Sequence, residues 1–332
     1  MSRPGAEDEL AQPLDVAPAE AVDAPSTHSA MRAVSRSGLG LAALGAIAFS
    51  GKAIIVKLGY RYGTDAVTLL ALRMLVAFPF FLAMGAWAAH RGAPLAAADR
   101  WRILSLGFLG YYLASFLDFA GLAYITATLE RLILYLTPTL VALIGWLAFG
   151  RRITRRQALA LLVSYAGVAL AFGHDLQVGG ADIMLGGVLV FGSALAYAMY
   201  LVGSGELVAR VGAVRLTAYA SSVACVLCLL QFVLLRPLDA LALPWQVYAL
   251  SLVNGTLCTV LPVLAVMMAV ARIGSTLAAQ VGMIGPVSTI VLSLLLLGEP
   301  MGPWQVAGTV LVMAGVFMVV AAEDRRPMIP RI

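Results

Sequence analysis

Lysine is almost absent from this chain: of 22 Lys and Arg residues in 332, only Lys52 and Lys57 are lysines. Charge of any sign is scarce, at 12% against about a quarter in an ordinary soluble domain. With 61% hydrophobic residues, the chain has more apolar surface than a soluble core can use. Alternating ten-residue segments are missing too, which excludes a transmembrane β-barrel. The only histidines are His28, His90 and His174, in the tail and loops. No HExxH, no paired intramembrane aspartates and no nucleophile beside a base occur, so an intramembrane enzyme is not expected. There is no GxxxxGK[ST], which argues against ATP-driven transport by this chain alone. Cys225, Cys228 and Cys258 lie in apolar runs, and Cys225 and Cys228 have no second ligand pair, so neither metal nor another cofactor is expected. A basic leader followed by a short apolar core is absent, and the first helix is expected to remain in the mature protein.

Long apolar runs with short polar breaks are abundant instead. Each is near the roughly 20 residues that a helix needs to cross a hydrocarbon core of about 30 Å. Ten spans follow: 38–59, 66–89, 102–123, 129–149, 157–173, 183–204, 216–235, 246–268, 275–297 and 303–321. With the N-terminus inside, fifteen arginines lie on inner segments near the spans and two, Arg61 and Arg236, on outer ones. That bias, led by Gly150–Arg156 (GRRITRR), predicts that both termini are cytoplasmic. Arginines dispersed between spans also speak against nucleic acid and for lipid as the surrounding partner.

Residues 133–168 align without a gap on 281–316, at an offset of 148. The alignment superposes Pro138 on Pro286, Gly150 on Gly298, and Ala166-Gly167-Val168 on Ala314-Gly315-Val316. Five spans per half is odd, so equivalent helices run in opposite directions. The fold class is an all-α polytopic membrane protein with ten transmembrane helices as two inverted five-helix repeats, an arrangement common in secondary transporters. Its expected parts are a disordered cytoplasmic tail (1–37), two repeats (38–173 and 183–321) and a cytoplasmic tail (322–332). Pro138 and Pro286, the latter loosened by Gly282 and Gly285, are hinge candidates, with a static bend as the other reading.

LILYLTPTLVALIGWLAFG (132–150) and VGMIGPVSTIVLSLLLLGEPMGPWQVAGTVLVMAGV (281–316) resemble the EamA family of the drug/metabolite transporter superfamily. Gly51, Lys57 and Arg73 also fall where that family often has a small turn, a Lys and an Arg. The resemblance covers about 38–322 and implies a solute permease, in bacteria usually an inner-membrane exporter of amino acids, other metabolites or drugs. Arg151 stands where the second half has Glu299, and Lys52 and Glu130-Arg131 lie outside the family pattern.

Charges inside spans face a cavity or a partner because lipid exposure costs several kcal/mol. Counted at about 1.5 Å per residue, Lys52, Arg73 and Asp118 converge at one depth in the outer half. They are the candidate substrate-binding residues together with Tyr200, which the repeat places opposite Lys52. A net cation there points to an anionic or zwitterionic solute. Asp118 is the expected proton carrier, burial favouring its neutral form and neighbouring cations its charged one; its pairing with Arg73 or Lys52 as a structural bridge stays open. Lys57 sits a turn from the boundary and can snorkel. Glu130 and Arg131 begin span 4 near the outer face. Tyr111, Tyr112, Tyr135 and Tyr197 could line a cavity, and Glu206 and Glu299 lie near helix ends where they cap or anchor. The expected function is alternating-access export of a small metabolite, such as an amino acid or organic anion. The alternatives are drug or cation efflux and a receptor or scaffold, which would show no flux in proteoliposomes.

Overall fold

A computed structural model describes residues 27–90, 94–150, 154–273, 278, 281–282, 284–299 and 301–323. Residues 1–26, Arg91, Arg151, Arg152, Ala279, Arg325, Arg326 and Arg331 lie outside the described residues. Among those described there is no strand. Helix α1 is Thr27–Arg61 and α2 is Ala66–His90. Helix α3 comprises Ala97–Gly107, a π turn at Phe108–Leu113, and Ala114–Leu122. Helix α4 comprises Ala127–Leu134 and Thr137–Phe149. Helix α5 is Arg155–Val211, and α6 is Ala213–Leu235. Helix α7 comprises Trp245–Gly255, a π turn at Thr256–Val260, and Leu261–Ile273. Apolar helix α8 is Ile284–Leu297, and α9 is Pro303–Glu323.

Among the described residues eight stretches are long and apolar enough to cross a membrane, and Ile284–Leu297 and Pro303–Met318 are shorter apolar helices. Helix α5, at 57 residues, would be about 85 Å long as a straight rod. It is not straight. A Cβ built at Gly187 would lie 2.3 Å from the Phe172 ring, two positions a straight helix would hold about 22 Å apart. The polar break expected at 174–182 is therefore a reversal of direction in which the backbone stays helical. The first limb of α5 contains Ala158–Leu176 and the second Ala181–Gly205.

The two halves answer each other contact by contact. A Cβ at Gly38 would meet Ile273 at 2.4 Å, and one at Gly186 would meet Ile125 at 2.6 Å. Each residue pair maps on the other at the offset of 148 with the halves exchanged. A Cβ at Gly167 would lie 2.7 Å from the Gly308 carbonyl, and one at Gly315 2.7 Å from that of Ala160, by the same rule. The π turns begin at equivalent positions, Phe108 and Thr256, each just after a glycine. Gly107 packs on Ala220 and Val223, and Gly255 on Arg73 and Val76. In α2 and α6 the offset is therefore 147, and the structural counterpart of Arg73 is Ala220. Gly150 and Gly298 end α4 and α8 with φ of 61° and 67°, a left-handed closure that suits glycine.

Polar contacts tie the halves at both ends. At one end, Asp65 caps α2 by accepting from the amides of Val67 (2.9 Å) and Thr68 (3.3 Å), and pairs with Arg236 at 3.1 Å. At the same end Arg61 donates to the Leu297 carbonyl. Glu299 accepts from the Ala127 amide at 3.1 Å, capping α4 as a residue at a helix end should. At the opposite end Arg210 holds Asp99 at 2.6 Å.

Two outcomes test this packing. Gly315→Ala drives a methyl to 2.1 Å from the Ser164 hydroxyl. It should cost about 1–3 kcal/mol in detergent unfolding, whereas Gly40→Ala, which meets nothing within 4 Å, should cost nothing. Burial pushes the Asp65 carboxyl up, but hydrogen bonds from Thr68 and Arg236 outweigh it and hold the pKa below its ordinary value. A depressed acid stabilises the fold above its unfolded pKa and loses that effect as pH falls through the folded one. Asp65→Ala should therefore lower stability by about 1 kcal/mol at neutral pH, and the difference should shrink below about pH 4.

Candidate solute-binding site

A cavity of ≈ 610 Å³ lies between the halves. First-half helices contribute Lys52, Arg73, Asp118 and Arg131 to its lining; second-half elements contribute Tyr197, Ser221, Thr259 and Gly282 among others. On α1, α2, α3 and α4 the charged residue is in each case the lining residue nearest the Asp65 and Glu299 end. Together these four form a roof. Below it the wall becomes apolar and aromatic, through Met74, Phe81, Tyr111, Tyr197, Val263 and Val316, toward the Asp99 and Arg210 end.

Thr126 starts α4 by accepting from the Leu129 amide at 3.1 Å, which places Glu130 and Arg131 one turn in, at the level of Asp118. Lys52 then finds two carboxylates. Its ammonium contacts Asp118 Oδ2 directly and Glu130 Oε1 at 3.2 Å. Lys52, Asp118 and Glu130 are 4%, 3% and 0% exposed, so little water shares these charges. Both arginines reach across to the other half. Arg73 Nε donates to Thr259 at 2.8 Å, and Arg131 Nε to Thr289 at 3.0 Å. Arg131 also donates to the Phe49 carbonyl at 3.3 Å. The Phe49 ring has Lys52 Nζ and Arg131 Cζ each 5.3 Å from its centroid, within cation–π range.

Several roof atoms remain unsatisfied. Arg73 Nη1, Asp118 Oδ1 and both Glu130 oxygens are buried without a hydrogen-bond partner. The roof thus holds one donor, Arg73 Nη1, and one acceptor, Asp118 Oδ1, without a protein partner.

Lys52, Arg73 and Asp118 come together in this cavity as the depth count suggests. Tyr200 does not line it: it sits behind Tyr111, with hydroxyls 3.3 Å apart, and stacks on Tyr197 at 5.7 Å. Lys57 ties α1 to the end of α3, donating to the carbonyls of Leu122 (3.3 Å) and Ile125 (3.0 Å). Arg131, outside the candidate set from sequence, completes the roof, and Glu130, also outside it, backs Lys52 without lining the cavity; the Thr126 cap was the signal for their depth. Thr259 and Thr289 had none, because a threonine in an apolar run reads as filler.

The proline breaks are joined to the cavity wall. Pro138 opens the second segment of α4, and the Leu134 carbonyl four residues back, which lacks its helical donor, accepts from the Thr137 hydroxyl at 2.6 Å. Pro286 likewise frees the Gly282 carbonyl, and here the donor is Tyr135 from the other half, at 3.0 Å. Ser50 donates to the Gly285 carbonyl at 2.9 Å. Pro138 lines the cavity.

Comparison with known proteins agrees with this architecture. The model of the EamA-like transporter family matches residues 36–173 and 184–321, the second match lying 148 residues after the first at both ends. The uncharacterized transporter YcbK of Bacillus subtilis (strain 168) is 30% identical over 298 residues, 86% of this chain and 92% of that protein. A solved structure described as "Crystal structure of protein" superposes with a TM-score of 0.59, at 17% identity, over 86% of this chain and 98% of its own. That likeness concerns the fold alone.

Lys52→Met should be strongly destabilising, by about 3–5 kcal/mol, because it leaves two acids buried without their shared cation. Lys52→Met combined with Asp118→Asn should recover part of that loss in thermal unfolding, and equal or greater loss would show that the pair is not the source.

Proposed function

Because the chain belongs to the EamA-like transporter family, as a multi-pass membrane protein, we propose that it exports a small carboxylate-bearing metabolite by alternating access. The solute class is amino acids or organic anions, and the setting is the bacterial inner membrane with both termini in the cytoplasm. One observation carries the reading: the cavity between the halves is roofed by three cations and one acid, Lys52, Arg73, Arg131 and Asp118. Its ≈ 610 Å³ falls within the range of small-molecule sites. The unpartnered Nη1 of Arg73 is the natural carboxylate donor, since a guanidinium matches that group's geometry. An amino group has Asp118 Oδ1 to meet, and an apolar side chain has the aromatic wall below.

The layout of the ends supports export. The cavity extends toward the end bearing Arg36, Arg102, Arg210 and Arg272, and the positive-inside rule makes that end cytoplasmic. A solute therefore enters from the cell interior and meets the roof. On this reading the ten spans form two inverted five-helix repeats, and the reciprocal contacts between halves supply the pseudo-two-fold about which they rock. Pro138, Pro286 and Gly285 act as hinges, with the Tyr135 bond to Gly282 as the link between them. The excess of lining cations favours anions over the cationic drugs that efflux permeases carry.

Purified protein in liposomes should show counterflow of labelled amino acids or organic anions and none of lipophilic cations. Arg73→Gln, which keeps size but loses the charged donor, should cut that flux at least about tenfold, the equivalent of about 1.4 kcal/mol, at unchanged thermal stability. Cation flux, or anion flux indifferent to Arg73, would overturn the assignment.

A further inference from the structure

Glu130 is the most isolated charge in the roof. It is 0% exposed and does not itself line the cavity, from which Lys52, Arg131 and Phe49 separate it. Neither of its oxygens accepts an aligned hydrogen bond, although the Lys52 ammonium stands 3.2 Å from Oε1 as an ion-pair partner. Lys52 is already in direct contact with Asp118. Arg131 stands 3.8 Å off, at the limit of ion-pair range, with its Nε given to Thr289. An ionised carboxylate in that position would lack the hydrogen bonds that make burial of charge tolerable.

Asp118 and Glu130 converge on the one Lys52 ammonium, Asp118 in direct contact and Glu130 Oε1 at 3.2 Å. Two carboxylates brought together around one ammonium cannot satisfy each other, because both only accept. A single proton resolves it and supplies the missing donor to Asp118, whose Oδ1 is otherwise unsatisfied.

We propose that Glu130 is a proton-binding site, protonated at neutral pH and hydrogen-bonded through that proton to Asp118 while Lys52 bridges the pair. The groups facing Glu130 are Lys52 on α1, Asp118 on α3, and Arg131 and Tyr135 on its own helix; α8 offers the neutral Thr289 through Arg131. When the proton leaves, the Glu130 O–H bond breaks, water takes the proton, and the new carboxylate is held by the Lys52 ammonium 3.2 Å away. Asp118 keeps its place in the cavity wall. The proton that sequence reasoning assigns to Asp118 thus moves to its neighbour.

The consequence for transport rests on the function proposed above. With Glu130 neutral, the roof has three cations against one acid; proton release adds a second acid and weakens the hold on an anion. By linkage, an anionic solute and this proton favour each other's binding.

Infrared difference spectroscopy of the full chain in lipid nanodiscs, titrated with acid and base, reads the protonated carboxyl without any solute. The wild type should show a buried protonated carboxyl band at neutral pH. Asp118→Asn should keep that band with a shifted frequency, and Glu130→Gln should lose it. Loss in Asp118→Asn with retention in Glu130→Gln would return the proton to Asp118, and absence of the band in the wild type would end the proposal even if neither variant folded. Because no solute is present, these outcomes are separate from success or failure of the transport reading.

Discussion

The site depends on one ammonium shared by two acids. Lys52 in α1 reaches Asp118 in α3 and Glu130 in α4, so three helices of one half meet at a point with almost no water. Desolvation makes each of these groups expensive alone. Together they fix the depth at which the cavity ends and hold Asp118 in its wall. The lysine is suited to this because its compact charge can contact two carboxylates, whereas the planar arginines are used where direction matters, each toward a threonine of the opposite half.

Scaffold and chemistry obey different symmetries. Small-residue contacts such as Gly38 with Ile273 and Gly186 with Ile125 recur with the halves exchanged, as do the π turns and the left-handed glycine ends. The charges do not recur. Lys52 has Tyr200 as its counterpart, Arg73 has Ala220, and Glu130 has Ala278, so the second half supplies hydroxyls and carbonyls to a first-half cluster. Symmetric packing joins the halves through matching contacts, while asymmetric charge gives the cavity a single polar end.

Much of this was legible in the sequence, and for physical reasons. Hydropathy reveals apolar helices because lipid demands continuous apolar length, and the ungapped repeat reveals which helices correspond. Counting residues along helices whose directions are known brought Lys52, Arg73 and Asp118 to one level, where the structure has them lining one cavity. Rotation about the helix axis was not legible at that level: Tyr200 shares the depth of its partners but turns behind Tyr111. Glu130 was missed because proximity to a helix start suggests surface exposure, whereas the Thr126 cap and the packing of α1 and α3 bury it. The one-residue difference in offset between α2 and α6 left no mark in a weakly similar apolar stretch. The role of Tyr135 as donor to a carbonyl freed by Pro286 needs both halves in place.

Ligand-dependent thermal stability tests the proposed anion selectivity of the roof most directly, since a solute that binds only the folded protein raises its melting temperature by mass action. Purified protein is heated with amino acids, organic anions and lipophilic cations in turn. Stabilisation confined to carboxylates, and abolished in Arg73→Gln, is the predicted result. Stabilisation by cations, or carboxylate stabilisation that survives in Arg73→Gln, would contradict it.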